Sequence, residues 1–262
     1  MNNVTKSKIG EFLLLTFCIS WLCWGAIIIA NKYGLLQYGT FLSMVLFLIG
    51  GNGVPIASYI LLKKWGEIDG IKSFLKCNFD FRSSVKNYGL VLALLLVHFI
   101  IPIVLASTNR KMAIYYVLLM IPMNVVGGGL EEIGWRGILQ PYLEKIMSFS
   151  KATIIVAIIW TMWHFPLWFI VGTYQSGISF FMFSVAVFGM TFSLAVIRKI
   201  TQNVFLCILF HSCINSFLAV FMLQQNFITI LTMGVEIILS LIVIYVSYKC
   251  KRVDIEYKKT IS

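Results

Sequence analysis

The feature that most constrains this chain is a succession of eight apolar runs. They cover about 12–30, 41–62, 88–106, 112–130, 152–171, 178–197, 204–223 and 227–248, and a bilayer crossing needs roughly 17–25 apolar residues. Composition agrees. Hydrophobic residues make up 60% of the chain, charged residues 12%, and the mean hydropathy is +0.91; a soluble domain is roughly 45–50% apolar and about 25% charged. The expected fold is all-α, a polytopic membrane helix bundle of about eight transmembrane helices forming a single integral membrane domain over 1–262. Glycines and prolines inside the runs (Gly50, Gly51, Pro55, Pro102, Pro122, Pro166) are expected to mark kinks.

The net charge of +11 does not imply a nucleic-acid partner, because the basic residues fall in the gaps between apolar runs. With the N-terminus placed in the cytoplasm, 18 of the 21 basic residues lie on that side, and Lys32, Arg110 and Lys111 lie outside. The bias predicts both termini in the cytoplasm, and the short loops fit a bacterial plasma membrane. Lys6 and Lys8 precede an apolar stretch that lacks an A-x-A cleavage pattern, so the first run is expected to be a retained helix. The longest polar loop, 63–87, reads equally as an amphipathic surface segment or as a plain connector. Six cysteines form no CxxC pair and are expected to be small buried hydrophobes.

The polar residues inside the apolar runs are the informative ones. Gly127-Gly128-Gly129-Leu130-Glu131-Glu132 ends the fourth run, and Arg136 follows. Charge at membrane depth costs about 2.5–3.5 kcal/mol per residue on insertion scales, so two carboxylates there imply a use. On a helix Glu132 and Arg136 stand at i,i+4 and can pair, while Glu131 is turned away and free for chemistry. The glycines serve either close helix packing or the approach of a substrate backbone to Glu131. His164 lies in the fifth run; His211 and, one turn later, Asn215 lie in the seventh. At ~1.5 Å of rise per residue, with the fourth helix continuing to about Gln140 before Pro141 stops it, Glu131, His164, His211 and Asn215 fall at roughly 11–18 Å from the cytoplasmic ends of their helices. They can therefore meet in the cytoplasmic half of the membrane. His98 has no polar neighbour in its run and is expected to be a packed or hydrogen-bonded residue.

Three motifs in order, Glu131-Glu132-x-x-x-Arg136, Trp160-x-x-x-His164 and His211-x-x-x-Asn215, resemble the CPBP family of CAAX prenyl proteases of type 2, Abi proteins and bacteriocin-processing enzymes. The resemblance covers roughly 112–223. One departure is Trp160, where the family commonly has Phe; altered packing is expected there. The resemblance implies an intramembrane endopeptidase acting on a peptide or lipidated-peptide substrate within membrane lipid. Glu131 would be the general base, His164 would hold the water, and His211 and Asn215 would donate to the oxyanion. Glu132 and Arg136 would support Glu131. No cofactor is favoured, but Glu131, His164 and His211 would also suffice to ligate zinc with an open position for water, although the HExxH spacing is missing. Two other functions compete: a non-catalytic bacteriocin-immunity or partner-binding protein on the same scaffold, and a transporter with a carboxylate–histidine proton relay. No inverted repeat supports the transporter.

Overall fold

The computed structural model describes the backbone of residues 2–261 and the side chains of 3–249. Cys250 and the basic residues Lys251, Arg252, Lys258 and Lys259 lie outside the described side chains. The first run is α1 (Asn2–Lys32). The second is divided into α2 (Phe41–Gly51) and α3 (Gly53–Lys64), bent by 50° at Asn52. The polar loop that follows contains a short helix, α4 (Ile71–Asn78). It buries Phe74 edge-on against Tyr59 of α3 and leaves Ile71 and Leu75 exposed, so this loop has an amphipathic element.

α5 (Val85–Val104) starts at Ser84, whose hydroxyl accepts from the Asn87 N–H. The fourth run breaks. α6 (Tyr116–Val126) ends before Gly127-Gly128, and the chain resumes, bent by 42°, through a 3₁₀ turn (Gly129–Glu131), α7 (Glu132–Gly134), a π turn (Trp135–Leu139) and α8 (Gln140–Glu144). Pro141 does not stop this helix as expected. It follows the π turn and stands in the first turn of α8, where a missing N–H is tolerated. α9 (Phe149–Trp163) is also shorter than its run. It stops at Trp163, and the chain passes into a 3₁₀ turn (Phe165–Phe169) around Pro166.

α10 (Phe180–Thr201) and α11 (Val204–Val220) are capped at their starts by Ser179 and Asn203. The end of the seventh run leaves the helix: Phe221–Leu223 forms β2, paired antiparallel with β1 (Thr108–Arg110). α12 (Phe227–Ile261) closes the chain. Among the described residues, five helices are long and apolar enough to cross a membrane, up to seven spans if each bent pair is one, and α11 is a shorter apolar helix. The protein is an all-α polytopic bundle with one small two-stranded sheet among its described residues.

Its polarity is inverted relative to a soluble domain. Leu14, Leu22, Leu118 and Ile238 are among many exposed apolar side chains, while Glu131, Glu132, Arg136, His211 and Glu236 are buried. α6 packs along α11 and α10 along α12. α1 is joined to the centre by an aromatic column in which Phe12 meets Trp135 at 5.8 Å, Trp135 meets Trp163 at 5.8 Å, and Trp163 meets Trp24 at 4.8 Å between ring centroids. This column fixes the two tryptophan-bearing segments that surround Glu131.

Candidate active site

A cavity of about 470 Å³ is lined by Glu131, His164, His211 and Asn215 together. The bend at Gly127-Gly128 and the irregular segment after it turn Glu131 into this space, while Glu132 points away from it into the bundle. Glu132 is fully buried and makes the expected pair with Arg136 at 2.9 Å, and it also meets His211 Nδ1 at 2.8 Å. The second contact was not foreseen from the sequence, because 79 residues separate the partners. Arg136 is fully buried too, with its guanidinium 4.7 Å from the Trp160 ring centroid.

Glu131 Oε2 accepts a hydrogen bond from Trp160 Nε1 at 2.7 Å and a longer one from Trp135 Nε1 at 3.4 Å. Trp160 is thus more than a large aromatic. Its indole N–H holds one oxygen of the carboxylate, which phenylalanine could not do. The same ring lies 5.3 Å from the His211 centroid and 6.0 Å from that of His164. It is the hub of the site.

The tautomers follow from the partners. His164, half-buried at the C-terminal end of α9, has Nδ1 2.9 Å from the Trp160 carbonyl oxygen. A carbonyl only accepts, so Nδ1–H donates and Nε2 is the free ring nitrogen. His211 Nδ1–H donates to Glu132 in the same way. Its Nε2 and the Asn215 amide nitrogen converge beside Gly128: a Cβ on Gly128 would stand 3.0 Å from the first and 2.5 Å from the second. A Cβ on Gly129 would collide with Ser212 of α11. Both glycines therefore admit α11 to close contact, and Gly128 also keeps the space beside His211 Nε2 and Asn215 Nδ2 clear. Asn124 of α6, donating to Ser216 at 2.9 Å, ties the same two helices.

Among the described residues, no three His, Cys, Asp or Glu side chains are placed to hold a metal ion. Glu131 also has one oxygen engaged by indole N–H groups, which compete with a cation for it. The residues as placed do not fit the zinc site that the resemblance left open.

The rest of the wall is mostly apolar, with Ile178, Met182 and Leu218 among its residues. At one end it reaches Tyr174, Gln175, Gln224 and Gln225, which follow α9 and β2. The Gln224 N–H donates to the Ser107 carbonyl at 2.9 Å, just past the C-terminal end of α5, the helix whose N-terminal end follows loop 63–87. His98 lines the cavity as well and is hydrogen-bonded, as expected, but its partner is Glu236 of α12. Glu236 and the N–H groups of Trp135 and Trp160 were missed by the sequence reading. For Glu236 the available signal was a lone carboxylate inside an apolar run.

Residues 113–217 match the family described as type II CAAX prenyl endopeptidase, Rce1-like. The chain is also similar to CAAX prenyl protease 2 of Methanococcus maripaludis, 34% identical over 94 residues, which cover 32% of this chain and 34% of that protein. The match therefore spans about a third of the relative's length. The family match begins just before α6 and ends within α11, so it contains the bent segment with Glu131 and Glu132, the helix ending at His164, and the turn from His211 to Asn215. The resemblance to the CPBP family, drawn from three short motifs, is borne out over this stretch.

Proposed function

We propose that this chain is an intramembrane endopeptidase in which Glu131 activates water against a peptide bond. The observation that carries the reading is the convergence of Glu131, His164, His211 and Asn215 on one cavity inside an apolar bundle. Glu131 takes a proton from the water, and the resulting hydroxide adds to the carbonyl carbon. His164 Nε2 accepts from the same water and aims it. Negative charge then develops on the carbonyl oxygen beside Gly128, where Asn215 Nδ2–H and His211 donate. With Nδ1–H engaged by Glu132, His211 donates from Nε2 as the imidazolium ion. Fixed donors in a water-poor site are worth far more than in water. Glu131 returns its proton to the departing amine as the C–N bond breaks, leaving a carboxylic acid and a free amine.

The apolar wall favours a substrate segment that is itself hydrophobic or carries a lipid chain. The site lies in a membrane protein whose basic residues cluster at one end, which supports cytoplasmic termini in a bacterial plasma membrane. Comparison of membrane and secreted peptides from cells carrying the wild type or Glu131→Gln tests the reading. A precursor that accumulates uncut in the variant, at equal protein level, is the expected result. Identical peptide sets would favour a binding or immunity role instead.

A further inference from the structure

The cavity has a second buried histidine–glutamate pair that the proposed chemistry does not use. His98 on α5 is 2% exposed, Glu236 on α12 is fully buried, and His98 Nδ1 lies 2.9 Å from Glu236 Oε2. The other oxygen, Glu236 Oε1, accepts from the Ser193 hydroxyl of α10 at 2.5 Å. Space for this arrangement is left by Gly189, where a Cβ would stand 3.0 Å from Glu236 Oε2 and 2.6 Å from Met233 Sδ. Three helices thus meet on one carboxylate. Of these residues only His98 lines the cavity.

A buried carboxylate in a membrane bundle is costly, and such groups occur where they line a substrate path or hold another functional group. Glu236 does not reach the cavity, so it acts on whatever His98 contacts. By taking the Nδ1–H, it fixes the ring and leaves Nε2 as the nitrogen available to the cavity. Among the helices packed against α5, α10 contributes Val187 and Met190 to the cavity lining, α11 contributes Leu218 beyond Asn215, and α12 contributes Thr229. One hydrogen-bonding atom set in an apolar wall gives a ligand its register while the wall supplies bulk affinity.

We infer that His98 is a specificity-determining residue of the cavity. Its Nε2 hydrogen-bonds a backbone peptide group of the bound substrate, away from the bond that is cut, and Glu236 and Ser193 are positioning residues acting through it. This rests on the peptidase reading. The ligand class is a peptide in extended form, whose backbone offers polar groups at fixed spacing between side chains that suit the apolar wall.

The test uses the full-length protein in lipid vesicles and a mixed peptide library read by mass spectrometry, with kcat and KM then measured on the best-cut peptide. His98→Phe is expected to raise KM about tenfold with kcat changed less than about twofold, the signature of lost uniform binding. His98→Gln, which can still offer a polar group, should restore part of the affinity. Glu236→Leu should raise KM as His98→Phe does, and the double variant should show no added effect. Thermal melting of each variant checks folding. Unchanged KM and unchanged cleavage positions in folded His98→Phe, with Glu131→Gln inactive, would overturn this inference while the peptidase reading stands. A wild type that cuts no peptide in the library would overturn both. A uniform fall in kcat, with no change in KM, would assign His98 a structural role and also overturn it.

Discussion

Two histidine–glutamate pairs face one cavity and differ in what balances the glutamate. His211–Glu132 is joined by the buried guanidinium of Arg136, whereas Glu236 of the His98 pair has the Ser193 hydroxyl as its second partner. The first pair stands one residue from Glu131 and beside Asn215; the second stands in an apolar wall. On the proposed mechanism, a pair that also holds a guanidinium suits the place where negative charge is generated and must be stabilised. A pair built around a hydroxyl suits recognition, where no charge develops. On the peptidase reading, the contrast would separate a reacting end of the cavity from a binding end.

The contrast breaks most readily at the second partners. Arg136→Met removes the guanidinium from a fully buried carboxylate and should cost about 3–5 kcal/mol, read as a lower melting temperature and a lower membrane level. Ser193→Ala removes one hydrogen bond and should cost about 0.5–1.5 kcal/mol. Equal losses would erase the distinction. Asn215→Ala should lower kcat by roughly 10²–10³-fold with KM little changed, opposite to the pattern expected at His98; a rise in KM alone would move Asn215 to the binding end. Trp160→Phe keeps the aromatic packing but removes the N–H on Glu131, and a fall of about tenfold in kcat is expected for the loss of one charge-assisted hydrogen bond. Full activity would show that Trp135 or water holds the carboxylate as well.

The smallest effect belongs to a region away from the cavity. Glu67 pairs with Lys8 at one end of the bundle and accepts from Tyr142 at 2.6 Å. Burial pushes the Glu67 carboxyl up, but the Lys8 and Tyr142 hydrogen bonds outweigh it and hold it below its ordinary value of 4.5. A lowered value in the folded state gives stability that is present above about 4.5 and lost as pH falls through the folded value. The partners are partly exposed, so the wild type should exceed Glu67→Gln by no more than about 0.5 kcal/mol at pH 7. Melting curves at both pH values read the difference. An advantage that persists unchanged at pH 3 would contradict this assignment.

Much of the bundle was legible because apolar length is a direct signal, and each of the eight runs has a helical counterpart. Glu131, His164, His211 and Asn215 were legible because polar groups at membrane depth stand out against their surroundings and their depths could be compared. What escaped was set by contacts between distant segments. Pro141 reads as a helix stop, yet a π turn before it absorbs the irregularity. Trp160 reads as bulk, and only its approach to Glu131 shows the N–H at work. Glu132 reads as a partner for Arg136 alone, and the His211 contact depends on how closely α11 approaches Gly128 and Gly129. The His98–Glu236 pair joins residues 138 apart, so neither run reveals it.

The central claim is that Glu131 activates water for peptide cleavage. The most direct measurement compares purified wild type, Glu131→Asp and Glu131→Gln in lipid vesicles on the same peptide library, with melting temperature recorded for each. Cleavage by the wild type, weaker cleavage by Glu131→Asp and none by Glu131→Gln, at matched stability, is the predicted result. Cleavage by folded Glu131→Gln at the wild-type rate would contradict it.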